Sequence, residues 1–336
     1  MSINKINIAI IGFGEIGQKH FNSLIKLKNK YNINGIFDQK FDKKKEDLAK
    51  KYNVKLYKNI DYLFKNNKLD YSVICLPSGK HFEFIIKLIK NGINVICEKP
   101  LVLKTQEIKK IKSILKKKKK IKLFEVKQLR FSKLIENIYD NYKNKRFGNA
   151  HMININIFIN RSGKYFKDNS WRGTIKLDGG VLFNQLSHHI DLLFFILNPK
   201  KISKLFFISQ KNKNLETEDS GILIFKINKK TLVNINFTLN AYKKNFVNSF
   251  NGIFDFANFS FDFRSLDKLD NSTFKNKFLI NKFTKPFMKK DLYLKFYDAI
   301  YKNYITGKVS NKLSDIHDAE KVIKFNEDFY KIVKTK

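Results

Sequence analysis

Six residues constrain this chain more than any others: Gly12-Phe13-Gly14-Glu15-Ile16-Gly17. They follow the apolar run Ile6 to Ile11, which reads as a strand buried on both faces of a parallel sheet. A helical stretch from about Glu15 to Lys28 comes next, then a strand, Ile33 to Phe37, closed by Asp38. Alone, G-x-G-x-x-G is a weak signal; between a buried strand and a helix, with an acid ending the next strand, it is a specific one. Gly12 permits the tight turn, Gly14 lets the backbone approach a pyrophosphate, and Gly17 lets helix and strand pack closely. The helix start, Glu15 and Ile16, offers unpaired N–H groups and a positive dipole end to phosphates. Asp38 would accept from adenine-ribose hydroxyls and repel a 2′-phosphate, favouring NAD, while Gln39 and Lys40 leave NADP open.

The alternation continues. Helices are expected over Lys43 to Lys51, Asp61 to Lys65, His81 to Lys90 and Thr105 to Lys118, and strands over Tyr71 to Leu76, Ile93 to Cys97 and Ile121 to Glu125. This order predicts a doubly wound parallel α/β domain over residues 1–126. Beyond it the character changes. A helix, Ser132 to Asn144, leads to Ala150 to Asn160, where polar and apolar residues alternate as in a strand with one solvated face. A helix from Val181 to Leu197 precedes strand-like runs Ile202 to Ser209, Ser220 to Ile227, Thr231 to Leu239, Asn248 to Phe254 and Asn258 to Phe263. Short links such as Asn228-Lys229-Lys230 suggest antiparallel pairing. Two helices, Leu292 to Thr306 and Ser314 to Lys331, close an α+β domain of residues 127–336 with a largely antiparallel, mixed open sheet; the terminal helix is free to pack back on the first domain.

Composition narrows the function classes. With 336 residues and 43% hydrophobic content the chain can bury two cores, which excludes disorder for its bulk. No apolar run is long enough to span a membrane, and no cleavable leader is visible, so a cytoplasmic protein is expected. The formal charge of +37 invites a nucleic-acid reading, yet only five of the 67 basic residues are Arg. Arginine supplies the bidentate contacts that base and phosphate readout uses, and the lysines are spread along the whole chain. The dense run Lys116 to Lys120 falls where a helix ends, as a solvated loop would. Nucleic acid and membrane are therefore not expected partners. Cys75 and Cys97 cannot build a disulfide framework or a four-thiolate zinc site, and no metal is expected.

Two further stretches could carry chemistry. Glu98-Lys99-Pro100 follows the strand ending at Cys97, and strand C-termini of open parallel sheets are where ligands bind. A lysine there can hold a hydroxyl or supply a proton, although the tripeptide by itself also fits an ordinary surface lysine. In Gly179-Gly180-Val181-Leu182-Phe183-Asn184-Gln185-Leu186-Ser187-His188-His189-Ile190-Asp191, residues Asn184, His188 and Asp191 share one helix face. His188 suits a proton acceptor near neutral pH, and a hydrogen-bonded core histidine equally well; His189 points about 100° away.

Taken together these stretches resemble the Gfo/Idh/MocA family of NAD(P)-dependent oxidoreductases. The likeness runs through Cys75-Leu76-Pro77-Ser78 with His81, Glu98-Lys99-Pro100, Lys127-Gln128-Leu129-Arg130, Trp171-Arg172-Gly173-Thr174, the helix of His188 and Asp318-Ala319 near the end. The resemblance implies a Rossmann domain plus a mixed-sheet domain whose open face makes a homodimer or homotetramer. It implies that Lys99 and His188 are catalytic, with Asn184 orienting them. The nicotinamide side would be lined by Leu76, Pro77, Ser78, His81, Glu98, Lys99 and Gln128, with Trp171 and Arg172 also near the cofactor. Lys127 and Arg172 would lie near substrate phosphates.

Many members carry Asp where this chain has Asn184. The Asn-Gln-x-x-His form is similar to the branch acting on nucleotide sugars, the UDP-N-acetylglucosamine and UDP-N-acetylglucosaminuronate 3-dehydrogenases of surface-polysaccharide synthesis. The resemblance thus implies NAD-dependent oxidation of a sugar hydroxyl, with a free sugar or polyol dehydrogenase and a non-enzymatic NAD(P)-sensing regulator as the competing readings. Asp178, where many relatives have glycine, has no explanation at this level.

Overall fold

The computed structural model describes residues 4–161, 163–167, 171–288 and 290–334, which divide into two compact units, 1–128 with 291–323 and 129–290 with 324–336. The first unit is built on a six-stranded parallel sheet. Its strands are β1 (Ile6–Ile11), β2 (Tyr31–Phe37), β3 (Leu56–Tyr57), β4 (Tyr71–Ile74), β5 (Asn94–Cys97) and β6 (Leu123–Glu125), in the order β3-β2-β1-β4-β5-β6. Ile10 pairs with Ile36 on one side and Val73 on the other, and β1 is enclosed almost completely. That is why its sequence is a continuous apolar run rather than an alternating one. Connections leave the sheet in opposite senses from β1 and β4, so their C-terminal ends form the switch point where ligands of such sheets bind.

Helices Glu15–Lys26, Lys43–Lys51, Ile60–Lys65, His81–Lys90 and Thr105–Lys117 alternate with these strands. The exposed run Lys116–Lys120 straddles the end of the last of them. The segment Asp291–Ile323, read from the sequence as part of the second domain, belongs to this unit. Its helix Leu292–Thr306 lies against Glu15–Lys26, with Tyr297 fully buried and accepting at its carbonyl from the Tyr31 hydroxyl at 2.7 Å.

The second unit holds a seven-stranded sheet of β7 (Ala150–Phe158), β8 (Ile202–Gln210), β9 (Ser220–Ile227), β10 (Thr231–Thr238), β11 (Val247–Phe254), β12 (Ala257–Asp262) and β13 (Asn271–Phe274), ordered β13-β12-β11-β7-β10-β9-β8. Only β7 and β10 pair in parallel; the other neighbours are antiparallel. One face is apolar and covered: Ile153, Ile155, Phe225, Ile235 and Phe237 are buried, and Phe325 and Phe329 of the last helix, Ile316–Lys334, bring their rings to 5.0 and 5.8 Å from that of Phe225. Each such side chain contributes about 1.5–3 kcal/mol. On the other face Phe206, Ile208, Ile222 and Ile224 are exposed.

The helix expected over Val181–Leu197 is two helices, Val181–Asn184 and Ser187–Leu197. Gln185 and Leu186 interrupt it while keeping right-handed dihedrals. Among the described residues no helix is long and apolar enough to cross a membrane.

Candidate active site

In the first unit the three glycines of the opening motif are needed for three different reasons. Gly12 sits at φ +93°, and a Cβ there would lie 2.8 Å from the Cys75 carbonyl oxygen at the end of β4. A Cβ on Gly17 would fall 2.1 Å from the Gly12 carbonyl oxygen, so the helix packs on its own turn only without a side chain. Gly14 has nothing within 4 Å of that position. It caps the helix without a side-chain hydrogen bond, leaving first-turn N–H groups available beside open space. This is the cradle an anionic dinucleotide bridge requires, and the residues present fit one. Glu15 is exposed and Ile16 half-buried, whereas the Phe13 ring belongs to the core, edge-on to Phe21 at 5.6 Å. Asp38 ends β2 with one carboxylate oxygen accepting from Phe13 N at 2.7 Å, so the acid expected to hold a ribose also braces the turn.

Below this turn lies a group that the sequence did not reveal. His20, three residues past Gly17 on the inner face of the helix, is fully buried, with Nδ1 2.6 Å from the Tyr297 hydroxyl and Nε2 3.0 Å from Glu98 Oε1. Tyr293 also donates to Glu98 Oε1 at 3.3 Å, and Glu98 Oε2 accepts from Lys99 N at 3.1 Å. Burial alone would raise the Glu98 pKa; the hydrogen bond and charge of His20, joined by the Lys99 ammonium, override it and hold the carboxyl below its usual range. Glu98 is thus a buried bracket for the Lys99 backbone, and the half-buried Lys99 leads into a cis peptide with Pro100.

His81 ties the neighbouring loops together, Nε2 to the Leu76 carbonyl and Nδ1 to the Pro100 carbonyl, each at 2.8 Å. Burial pushes its pKa down, and the two carbonyls, which favour the protonated ring, oppose that shift. Leu76 and Pro77 are half-buried and Ser78 buried, and Gln128 opens a short helical turn after β6. Lys127, expected at a substrate phosphate, is 1% exposed and ion-paired with Glu125 at 3.2 Å. Glu125 in turn accepts from Leu101 N and Ser314 Oγ.

In the second unit side chains hold side chains. Gly179 and Gly180 turn the chain at φ +81° and +93°, and a Cβ on Gly180 would strike the Tyr330 hydroxyl at 2.3 Å. Tyr330 donates to Glu218 at 2.6 Å, and both groups cap the N–H groups of Leu182 and Val181. Asp178 now has an explanation: its carboxylate accepts from Gly173 N at 2.7 Å and, through the other oxygen, from the Asn184 amide. It therefore latches the Trp171-Arg172-Gly173 turn to the residue four before His188.

Of the polar stripe expected on the next helix, Asp191 is committed to a buried bidentate pair with Arg130, at 2.6 and 2.9 Å. His189 is buried against Phe263 and within 2.7 Å of Asn248 Oδ1. His188, in the first turn of Ser187–Leu197, stays half-buried. Arg172 is stacked 4.0 Å from the Tyr165 ring and 5.6 Å from Trp171. Both cysteines are free thiols, and burial pushes the pKa of each well above its usual value.

Comparison with known proteins adds family context. Residues 6–126 match the family profile "Oxidoreductase family, NAD-binding Rossmann fold", and residues 137–253 match "GFO/IDH/MocA C-terminal domain". The chain is 25% identical over 197 residues to myo-inositol 2-dehydrogenase of Thermotoga maritima, a stretch covering 58% of this chain and 56% of that protein. In fold it is similar to the WlbA dehydrogenase of Bordetella pertussis, crystallised with NADH and UDP-GlcNAcA: TM-score 0.88, 20% identity, 98% of this chain and 96% of the other. UDP-N-acetylglucosamine 3-dehydrogenase GnnA of Acidithiobacillus ferrooxidans gives 0.76 at 13% identity, covering 97% of each.

Proposed function

Because this chain belongs to the GFO/IDH/MocA family of oxidoreductases and carries its NAD-binding Rossmann domain, we propose that it oxidises a secondary hydroxyl of a nucleotide-linked sugar to a ketone. The preferred substrate is a UDP-N-acetylhexosamine or its uronate, oxidised at C3 in surface-polysaccharide synthesis. The likeness of fold across 98% of the chain to a dehydrogenase crystallised with NADH and UDP-GlcNAcA carries this reading. The Asn184-Gln185-x-x-His188 stretch, with Asn184 held by Asp178, supports it.

In this reading His188 removes the hydroxyl proton, Lys99 binds and polarises the same oxygen, and Asn184 orients the pair. The bound nicotinamide supplies the hydride-accepting chemistry. Glu98 and His20 fix the backbone from which Lys99 extends, and Asp38 disfavours a 2′-phosphate, so NAD rather than NADP is the expected dinucleotide. Lys127, committed to Glu125, anchors the end of β6, which leaves Arg172 as the phosphate contact. The exposed apolar side chains on the open face of the second sheet suit a homodimer or homotetramer of a cytoplasmic enzyme, which light scattering would measure.

A second reading, a free polyol dehydrogenase, is favoured by the inositol dehydrogenase relative. Purified protein with NAD is offered UDP-GlcNAc, UDP-GlcNAcA, myo-inositol and glucose, and the reduced-nicotinamide absorbance is followed. Turnover of the UDP-sugars above the free polyols is expected. Turnover of inositol alone would replace the first reading by the second.

A further inference from the structure

Arginine is scarce in this chain, and where its five guanidiniums go is informative. Arg130 is paired with Asp191, Arg264 with Asp262, and Arg146 donates to Asn141 while lying over Phe278. The other two converge on one ring. Arg172 lies 4.0 Å and Arg161 5.1 Å from the centre of Tyr165. Among the described residues neither is paired with a carboxylate. Among the described residues the Arg161 guanidinium donates to the Asn160 carbonyl and that of Arg172 to the Tyr165 carbonyl, and the Nε of each is buried with no acceptor. The nearby acid, Asp178, is occupied by Gly173 N and Asn184.

The surroundings are built as well. Lys213 pins the Arg161 carbonyl at 2.6 Å, and Gln185 donates to the Tyr165 hydroxyl at 2.8 Å. Gln185 sits directly after Asn184 in the chain, so the ring carrying both arginines is tied to the segment that carries the candidate catalytic residues. Two guanidiniums beside one aromatic ring, with no carboxylate paired to either among the described residues, repel each other. Such an arrangement is stabilised by an anion able to engage two forks, and a diphosphate offers one phosphate to each.

We propose that Arg161 and Arg172, spaced by Tyr165, form a diphosphate-binding site that receives the nucleotide end of the substrate. This rests on the nucleotide-sugar reading above and deepens it: the site belongs to the second unit, whereas the dinucleotide's own pyrophosphate has the glycine turn of the first. The same forks could also receive a uronate carboxylate, so the test includes both sources.

Trp171 is the single tryptophan of the chain, 5.6 Å from the Arg172 guanidinium, and reports directly on the site. The full-length protein, saturated with NAD, is titrated with UDP, inorganic pyrophosphate, uridine and glucuronate while indole emission is read, with calorimetry as a second measure. UDP is expected to bind saturably, pyrophosphate to compete with it, and uridine and glucuronate to have little effect. Arg161→Gln and Arg172→Gln should each weaken UDP about tenfold or more. Arg161→Lys and Arg172→Lys, which keep the charge and guard against misfolding, should restore part of the loss.

UDP affinity within twofold of the parent in both glutamine variants would overturn the proposal, as would glucuronate binding that matches UDP in strength and arginine dependence. Arginine-dependent UDP binding without oxidation of any UDP-sugar would keep this site and reject the substrate reading. Oxidation of UDP-sugars with KM unchanged in both variants would do the reverse.

Discussion

Glu98 in the first unit and Glu218 in the second are both withdrawn from solvent beside a tyrosine hydroxyl, yet their titrations move in opposite directions. Glu98 has His20 within 3.0 Å and the Lys99 ammonium nearby, and these outweigh the cost of burial and lower its pKa. Glu218 has Tyr330 and the Val181 N–H but, among the described residues, no paired cation, and burial, with the Asp178 charge adding to it, raises its pKa. The difference follows from how each unit holds its candidate site. In the first, strand ends and a glycine turn set the backbone, and a charged bracket fixes one lysine to it. In the second, side chains brace one another around two turns, and among the described residues no cation pairs with Glu218.

The comparison can be broken most decisively at the chemistry. Lys99→Ala and His188→Ala should each lower kcat about 10²–10⁴-fold with NAD affinity retained, as stopped-flow and calorimetry would register; unchanged turnover in either would remove its assigned role. Next in size is Arg130→Met, which leaves Asp191 buried and unpaired. It should cost about 3–5 kcal/mol in urea unfolding, most of which Arg130→Met combined with Asp191→Leu restores. If the single variant is as stable as the parent, the second unit does not depend on its side-chain brackets. In the first unit, Gly17→Ala forces a Cβ against the Gly12 carbonyl and should cost about 1–3 kcal/mol while weakening NAD.

The smallest effects are in the pH profile. Glu98, depressed in the folded state, contributes stability that is fully present above the ordinary glutamate pKa of 4.5 and lost as pH falls below it. Glu218, raised when folded, contributes most below 4.5 and loses that contribution as pH climbs through its folded value. Glu98→Gln should therefore flatten the acid limb of Tm against pH, and Glu218→Gln should raise Tm near neutrality. Identical profiles for both variants and the parent would erase the contrast.

How much of this could be read from the sequence follows the same division. The glycine turn was legible because its demands are local: a positive φ at Gly12 and a missing Cβ at Gly17 each require one residue type at one position. The continuous apolar β1 and alternating β7 were legible for the same reason. Brackets made by side chains were not. His20 follows Gly17 at helical spacing, a polar residue on an otherwise buried face, and that was its one available signal. The Asp178 latch and the pair of arginines on Tyr165 join residues whose meeting depends on the shape of an irregular loop, which periodicity cannot reach. Short edge strands such as β3 and β13 carry too few residues to show alternation. The break at Gln185-Leu186 leaves the apolar pattern intact, so a single helix was the natural reading.

The return of residues 291–323 to the first unit fixes an order of events during synthesis. When the first 128 residues have left the ribosome, the parallel sheet has all its strands, but the tyrosines that enclose His20 have yet to be made. The dinucleotide-binding half begins first and is completed only after residues 129–290 have been made. A chain cut short before Tyr293 would emerge with an imidazole and a carboxylate stranded beneath its glycine turn, and a nascent-chain protease assay would see that half tighten only as the final helices appear.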